Sequence, residues 1–451
     1  MNNLLKANSY ISNNKHKTNS QYRPKYHMSP SVGWMNDPNG LIYFGGKYHL
    51  YYQCYPYDSV NGVMHWGHFV SEDLYTFRDL GVAIAPEEEG ENIFSGGAVE
   101  KDGMLYALYT LHYEHNGIKT ENIHCAVSAD GSNFKRLGCV FDNETLPENL
   151  SRTDFRDPCP VKLNGKYYVF IGGKDVNSNK GVIIVLGGSP EKLEYKFTIG
   201  PFYELGDMGE CPSYCRVDGK DVIIASGCNV KQRGNSFKNV NSSVFIAGEI
   251  DLDGGRMNVD FIREIDKGDT FYAPQFISGA SAPVMVGWLE MWGKRYPTHE
   301  WGHGWSGAFS VPRTLTYRDG EIYQSPAVGL EKYLTPAQAD KLQNCTRITA
   351  RFNGNGAIEI HAKNGSVRIG CDGGIFLDTQ SANNLNGCVR RTDGEYSSCE
   401  VCVLLDVSCI EVFVDGGKEV ISGRIYLDGE YKLKLFGNVQ TESIMEFGKR
   451  L

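Results

Sequence analysis

The chain has no long apolar run, no excess of positive charge and almost no helical periodicity, and each lack removes a class of function. Its longest uninterrupted aliphatic run, Val182 to Leu186, is far short of the roughly 18 to 20 residues that a helix needs to cross a bilayer. A soluble protein with no membrane partner is expected. Lys and Arg number 45 against 54 Asp and Glu, a net charge of −9, so the surface holds no general attraction for nucleic acid. The first 27 residues are rich in Asn, Lys, Ser and Tyr, with no apolar stretch between a basic start and a small-residue cleavage site. With no secretory signal in view, the cytoplasm is the expected location. The sequons at Asn143, Asn149, Asn241, Asn344 and Asn364 are then read as ordinary loop asparagines.

A disulfide framework is also disfavoured, because thirteen cysteines form an odd set spread over a long chain. Cys399 and Cys402 lie in an alternating, β-branched stretch, and a strand puts residues three apart on opposite faces. Cys211 and Cys215 share a face of a regular strand but stand roughly 13 Å apart. No metal and no cofactor are expected. The chain is 41% hydrophobic and 22% charged over 451 residues, enough for two or three folded domains rather than disorder.

What the chain does contain is a repeat. Five stretches each pass from a short polar turn into a strand, a Gly-containing hairpin and a second aromatic or aliphatic strand. They are DPNGLIYFGGKYHLYYQ from Asp37, SGGAVEKDGMLYALYT from Ser95, DPCPVKLNGKYYVFIGG from Asp157, CPSYCRVDGKDVIIASG from Cys211 and APQFISGASAPVMVGW from Ala273. Their starts lie 58, 62, 54 and 62 residues apart. A period near 60 with several short strands per unit reads as radial repetition of four-stranded blades. The expectation is an all-β fold, with a five-bladed β-propeller over residues 23–325 preceded by a polar arm or short helix over 1–22. Residues 326–344 form a linker; the stretch Ser325 to Asn344 has the chain's clearest helical spacing, which predicts a helix there. From 345 to 451, short alternating strands between Gly, Asn and Asp turns predict a C-terminal β-sandwich.

The innermost strand of each blade lines the propeller axis, so equivalent positions in different repeats converge at one mouth. Asp37 opens the first repeat, Asp157 opens the third, and Glu210 precedes the fourth. Three acids meeting in one place cost stability unless they are paired, hydrated or used. Glycoside cleavage uses two such carboxyl groups: one protonates the departing oxygen, and the other attacks the anomeric carbon or activates water. Arg156 is placed to keep Asp157 ionised, and Glu210, between Gly209 and Cys211, is the better candidate for a raised pKa. Trp34, Asn36, Gln53, Trp66, Phe94, Ser95 and Tyr272 supply the flat surfaces and hydrogen-bonding groups that sugars require.

Together WMNDPNG, Gln53 in YYQ, HWGH from His65, FSG from Phe94, FRDP from Phe155, ECP from Glu210, DTFYAPQ from Asp269 and GWSGAFSVPR from Gly304 resemble glycoside hydrolase family 32, the β-fructosidases. LLDVSCIEVFVDGG resembles that family's C-terminal sandwich. The resemblance implies a propeller with a sandwich and a retaining double displacement, with a small carbohydrate such as sucrose or sucrose 6-phosphate as substrate. It implies Asp37 as nucleophile, Glu210 as acid/base, and Asp157, with Arg156 beside it, as the group that binds fructose hydroxyls and stabilises the transition state. The chain departs from the family pattern at Cys54, Tyr55, Asn61 and Phe77. An Asn at 61 in place of a Trp is expected to reshape the rim that holds the leaving group.

Two other motifs lack their context. HEWGH from His299 fits a zinc-protease pattern that requires both histidines on one helix face, yet Pro297, Gly302 and Gly304 oppose a helix. GHGWSG from Gly302 matches a dinucleotide fingerprint without the strand and helix that would flank it. Lys231, Arg233, Lys294 and Arg295 lie in stretches that could reach a substrate phosphate.

Overall fold

The computed structural model describes residues 2–339 and 341–448, and its strands group as the repeats predict. Blade I comprises Gly33–Phe44, Lys47–Tyr55, His65–Ser71 and Phe77–Ile84; blade II comprises Glu91–Lys101, Met104–His115, Ile118–Ser128 and Lys135–Phe141. Blade III is built from Leu150–Leu163, Lys166–Asp175, Lys180–Ser189 and Lys192–Phe202. Blade IV follows with Gly209–Val217, Lys220–Cys228, Asn241–Asp251 and Arg256–Glu264. Blade V has Tyr272–Phe276, Val284–Trp288, Arg313–Arg318 and Glu321–Pro326. Each blade is an antiparallel sheet, and the five first strands contact one another in a ring. Middle strands such as Lys180–Ser189, with Val182 to Leu186 wholly buried, are covered on both faces by neighbouring blades. This explains their unbroken apolar runs.

The ring closes between blades V and I. A long excursion between the second and third strands of blade V carries Trp305–Ser306, which pairs in parallel with Gly33 and Trp34. Ser278 exchanges backbone hydrogen bonds with Leu41 and Tyr43. The excursion includes a single helical turn, Pro297–Glu300, which ends before His303. His299 Nδ1 lies 2.8 Å from Ser59 Oγ, whereas His303 stacks on Tyr22, so the two histidines of HEWGH face different surroundings.

Residues 345–448 supply eight strands of a nine-stranded sheet, the ninth being Leu334–Pro336, and the sheet doubles over a single core that includes Ile348, Phe352, Ile360, Val403, Ile410 and Ile421. Its spine is Cys345–Ala362, which pairs along its length with Lys432–Phe447 and bulges between Phe352 and Gly356. Cys399 joins this core while Cys402 packs on the opposite side, as alternation requires.

The linker corrects one expectation. The helical spacing near Leu330 yields only a 3-10 turn, Leu330–Tyr333, followed by a strand, Leu334–Pro336, paired with the chain's last strand. Gly329 is left-handed at φ 114°, and Pro336 has no N–H with which to continue a helix. At the other end, Asn3–Asn14 is a helix whose N-cap Asn2 accepts a hydrogen bond from Leu5 N, satisfying one of the otherwise unpaired N–H groups of the first turn. No helix among the described residues is long and apolar enough to cross a membrane.

Candidate active site

Each first strand breaks register within one residue of the same point in its repeat: between Met35 and Pro38, Ile93 and Gly96, Arg156 and Cys159, Glu210 and Ser213, and Tyr272 and Gln275. A bulge adds a residue, bends the strand and re-aims its side chains. The residues at the five breaks form two rungs around the axis. One rung is Asn36, Phe94, Arg156, Glu210 and Tyr272; the next is Asp37, Ser95, Asp157, Cys211 and Ala273. Proline follows in four blades, at 38, 158, 212 and 274, where its missing N–H suits a ladder that is already interrupted. Asp157, Cys211 and Ala273 have φ of 67°, 46° and 49°, a left-handed geometry that non-glycine residues adopt at a cost.

All of the rung residues except Cys211 and Ala273 line a pocket of about 400 Å³. Asp37 Oδ2 accepts a hydrogen bond from Ser95 Oγ at 2.7 Å, and Oδ1 accepts one from Asn36 Nδ2 at 3.0 Å. Asp157 Oδ2 accepts from the Cys211 backbone N–H at 2.9 Å. The Cys211 thiol lies 3.5 Å from Asp37 Oδ2 and 3.4 Å from Asp157 Oδ2, so one sulfur touches two of the three acids. Glu210 Oε1 accepts from Arg156 Nε at 3.1 Å and Nη2 at 2.7 Å, and Oε2 accepts from the Tyr272 hydroxyl.

Burial raises the Asp37 pKa, with the nearby Glu210 charge adding to it against the hydrogen bonds from Ser95 and Asn36. Asp157 is pushed up to about 7 by burial and by the charges of Glu210 and Asp37, against the opposing pull of Arg156. Burial would raise Glu210 too, but Arg156 and the Tyr272 hydroxyl outweigh it and hold Glu210 below its usual value. This reverses the sequence expectation, which gave the ionised state to Asp157 and the raised pKa to Glu210. Successive strand side chains point different ways, and the guanidinium reaches across to blade IV rather than back to its neighbour.

Of the other residues expected here, Asn36, Gln53, Phe94, Ser95, Arg156 and Tyr272 line the pocket. Trp34 and Trp66 do not. Both are fully buried and stand one layer behind: Trp34 Nε1 donates to Asn36 Oδ1 at 2.7 Å and Trp66 Nε1 to the Phe94 carbonyl at 3.0 Å. Asn61 is at the wall, where the departure from the family pattern predicted a reshaped rim. Sequence reasoning missed Cys211, Glu121, His112, Lys119, Asn92 and Trp292. Cys211 was readable, since it opens the fourth repeat at the position of Asp37 and Asp157. None of the four suspected phosphate ligands lines the pocket. Arg233 pairs with Glu204 at 2.7 Å, Arg295 with Glu300 at 3.1 Å, and Lys294 with Asp269. A second cavity, of about 300 Å³, opens further along the same strands beside Cys159 and Cys215, and no acid lines it.

Comparison with known proteins places the whole chain in one family. A raffinose invertase of Escherichia coli is 30% identical over 437 residues, covering 89% of each chain. A sucrose-6-phosphate hydrolase of Escherichia coli is 28% identical over 436 residues, covering 90% of this chain and 89% of that one. Among solved structures, a GH32 β-fructofuranosidase of Bombyx mori superposes with a TM-score of 0.86 at 30% identity, covering 99% of this chain and 98% of that one. A point mutant of the same silkworm enzyme was solved in complex with sucrose. Residues 27–326 match the N-terminal domain of glycosyl hydrolases family 32 and residues 355–447 match that family's C-terminal domain, and the chain therefore belongs to glycosyl hydrolase family 32.

Proposed function

We propose that this chain is a retaining β-fructofuranosidase that hydrolyses the terminal fructosyl bond of sucrose or sucrose 6-phosphate. The observation that carries this reading is the convergence of Asp37, Asp157 and Glu210, from three blades, on one pocket. Asp37 attacks the anomeric carbon of fructose, its two oxygens held by Ser95 and Asn36. Glu210 donates a proton to the departing glycosidic oxygen, and a fructosyl ester forms on Asp37. Water then enters, Glu210 takes its proton, and attack at the same carbon frees Asp37. Asp157 bonds fructose hydroxyls and stabilises the positive charge that develops on the ring. Arg156 and Tyr272, which hold the Glu210 carboxylate, orient it for both proton transfers.

The acids share protons as a coupled set. With Asp157 raised to about 7, the cluster keeps one proton below that pH, available to Glu210 once sugar displaces water. We expect kcat/KM to fall as pH rises through about 7. Thirteen free cysteines favour a reducing compartment, and a cytoplasmic location belongs to this reading.

Charge favours unphosphorylated sucrose. Four carboxylates, those of Asp37, Glu121, Asp157 and Glu210, line the pocket against Arg156 and Lys119, so a phosphate dianion meets a net negative wall. Comparing kcat/KM on sucrose, sucrose 6-phosphate and kestose tests this. A preference above tenfold for the phosphorylated sugar would defeat the charge argument, and a strong preference for kestose would indicate a fructo-oligosaccharide hydrolase. Asp37→Asn is expected to lower kcat at least about 10³-fold while the protein stays folded; near-normal turnover would remove Asp37 from the role of nucleophile.

A further inference from the structure

We propose that Glu121, a carboxylate of blade II, sets the proton affinity of Glu210 by sharing the Arg156 guanidinium with it. This rests on the reading of Glu210 as the acid/base group, in which Glu121 has no task of its own. Glu121 lies on the strand Ile118–Ser128, is 1% exposed and lines the pocket. Its Oε2 is 3.3 Å from Arg156 Nη1, on the same guanidinium whose Nε and Nη2 bind Glu210 Oε1. Its Oε1 is 3.0 Å from His112 Nδ1 and 3.5 Å from Lys119 Nζ. The His112 ring stacks on Phe94 with centroids 4.3 Å apart and planes 13° from parallel. Glu121 is thus held on one side by a stacked ring and presented on the other to the cation.

An acid/base group must gain and lose a proton in every turnover. A private Arg–Glu pair would oppose this, because an adjacent cation favours the ionised carboxylate. With Glu121 drawing on the same cation, two carboxylates face one guanidinium and the surplus negative charge draws a proton into the cluster. Glu210 is faced by Arg156, Tyr272, Cys228 and the acids Asp37 and Asp157. Cys211 adjoins it, and its pKa is raised by burial together with the charges of all three acids. Arg156 is faced by Glu121, Glu210 and Asp157, and Glu121 by His112, Arg156 and Lys119. Glu121 acts through Arg156 and is a positioning residue rather than one that touches the reacting atoms.

The test is the pH profile of kcat/KM on sucrose for the wild type, Glu121→Gln, Glu121→Asp and Lys119→Met. Removing the Glu121 charge leaves Arg156 to Glu210, so the alkaline limb should move down by about one pH unit, a shift of the size one charge exerts at this range. Glu121→Asp should restore most of it. Lys119→Met frees Glu121 to draw harder on Arg156, and the limb should move up. A limb unmoved in a folded Glu121→Gln variant, or a loss of kcat/KM equal at every pH, overturns the proposal. If that variant does not fold, Lys119→Met decides alone, since its side chain is 41% exposed and its removal spares the core; no upward shift then overturns the proposal. Glu210→Gln in the same assay separates the two ideas. If it keeps wild-type activity and the same alkaline limb, the acid/base reading is what fails.

Discussion

Arg156 and Asp157 are consecutive on one strand, yet the bulge between them sends the guanidinium to Glu210 and turns the carboxylate toward the Cys211 N–H. The consequence for stability can be signed. Asp157 has a folded pKa of about 7 against an ordinary 3.8, so its contribution is fully present below about 3.8 and is lost as pH rises through about 7. Above pH 7 the wild type therefore carries a buried charge that Asp157→Asn would not, while an Asn oxygen can still accept the Cys211 hydrogen bond. Asp157→Asn is expected to abolish activity and to raise unfolding free energy by about 1–3 kcal/mol at pH 8, with little change at pH 4. Urea unfolding at both pH values checks it; an equal effect at the two would show that Asp157 is not the group that titrates.

The N-terminal helix Asn3–Asn14 is an element whose role lies outside its own sequence. Twelve residues make a marginal helix in isolation, and this one is held by burying Ala7 and Ile11 and by Asn8. The Asn8 amide donates to the Val82 carbonyl at 3.0 Å and accepts from Val82 N at 2.7 Å, covering the outer edge strand of blade I as a further strand would. Tyr10 reaches the loop after the second strand of that blade: its hydroxyl donates to the Tyr57 carbonyl at 3.3 Å and its ring meets Tyr57 edge-on at 5.0 Å. That loop continues to Asn61 and Gly62 at the pocket wall. Gly62 packs so tightly on the Tyr55 ring that an added Cβ would lie 2.5 Å from it. Deleting residues 2–14 should raise KM for sucrose roughly tenfold, about 1.4 kcal/mol, with kcat changed far less. A deletion variant with an unchanged KM would show that the loop keeps its shape alone.

At the scale of the molecule, propeller and C-terminal sheet are joined by a wholly buried charge network. His27 lies between Asp406 and Glu411, 2.9 Å from each. Arg313 joins Glu411 to Asp266 at 2.9 Å and bonds Gln324 at 3.0 Å. Arg424, from the sheet, reaches Glu290 of the propeller at 2.9 Å. Breaking such a network by removing one partner leaves uncompensated buried charge, so Arg313→Met should cost about 3–5 kcal/mol. Denaturant unfolding would register it, and a loss below about 1 kcal/mol would mean that the two acids find other partners.

Much of this architecture was legible in the chain itself. The near-60-residue period, its start at Asp37, Ser95, Asp157, Cys211 and Ala273, and the convergence of three acids follow from local pattern, because strand alternation and hairpin turns are properties of neighbouring residues. The linker helix failed because a short apolar spacing at Leu330, Tyr333 and Leu334 also suits one 3-10 turn ending in a strand, and pairing with the last strand of the chain decided between them. Where charge settles was not legible either. The proton affinities of Asp157 and Glu210, the removal of Trp34 and Trp66 to a layer behind the pocket, and the entry of Glu121 and His112 into its wall all depend on distances between blades. Electrostatic energy follows separation in space, and only the closed ring brings residues from different blades within a few ångströms of one another.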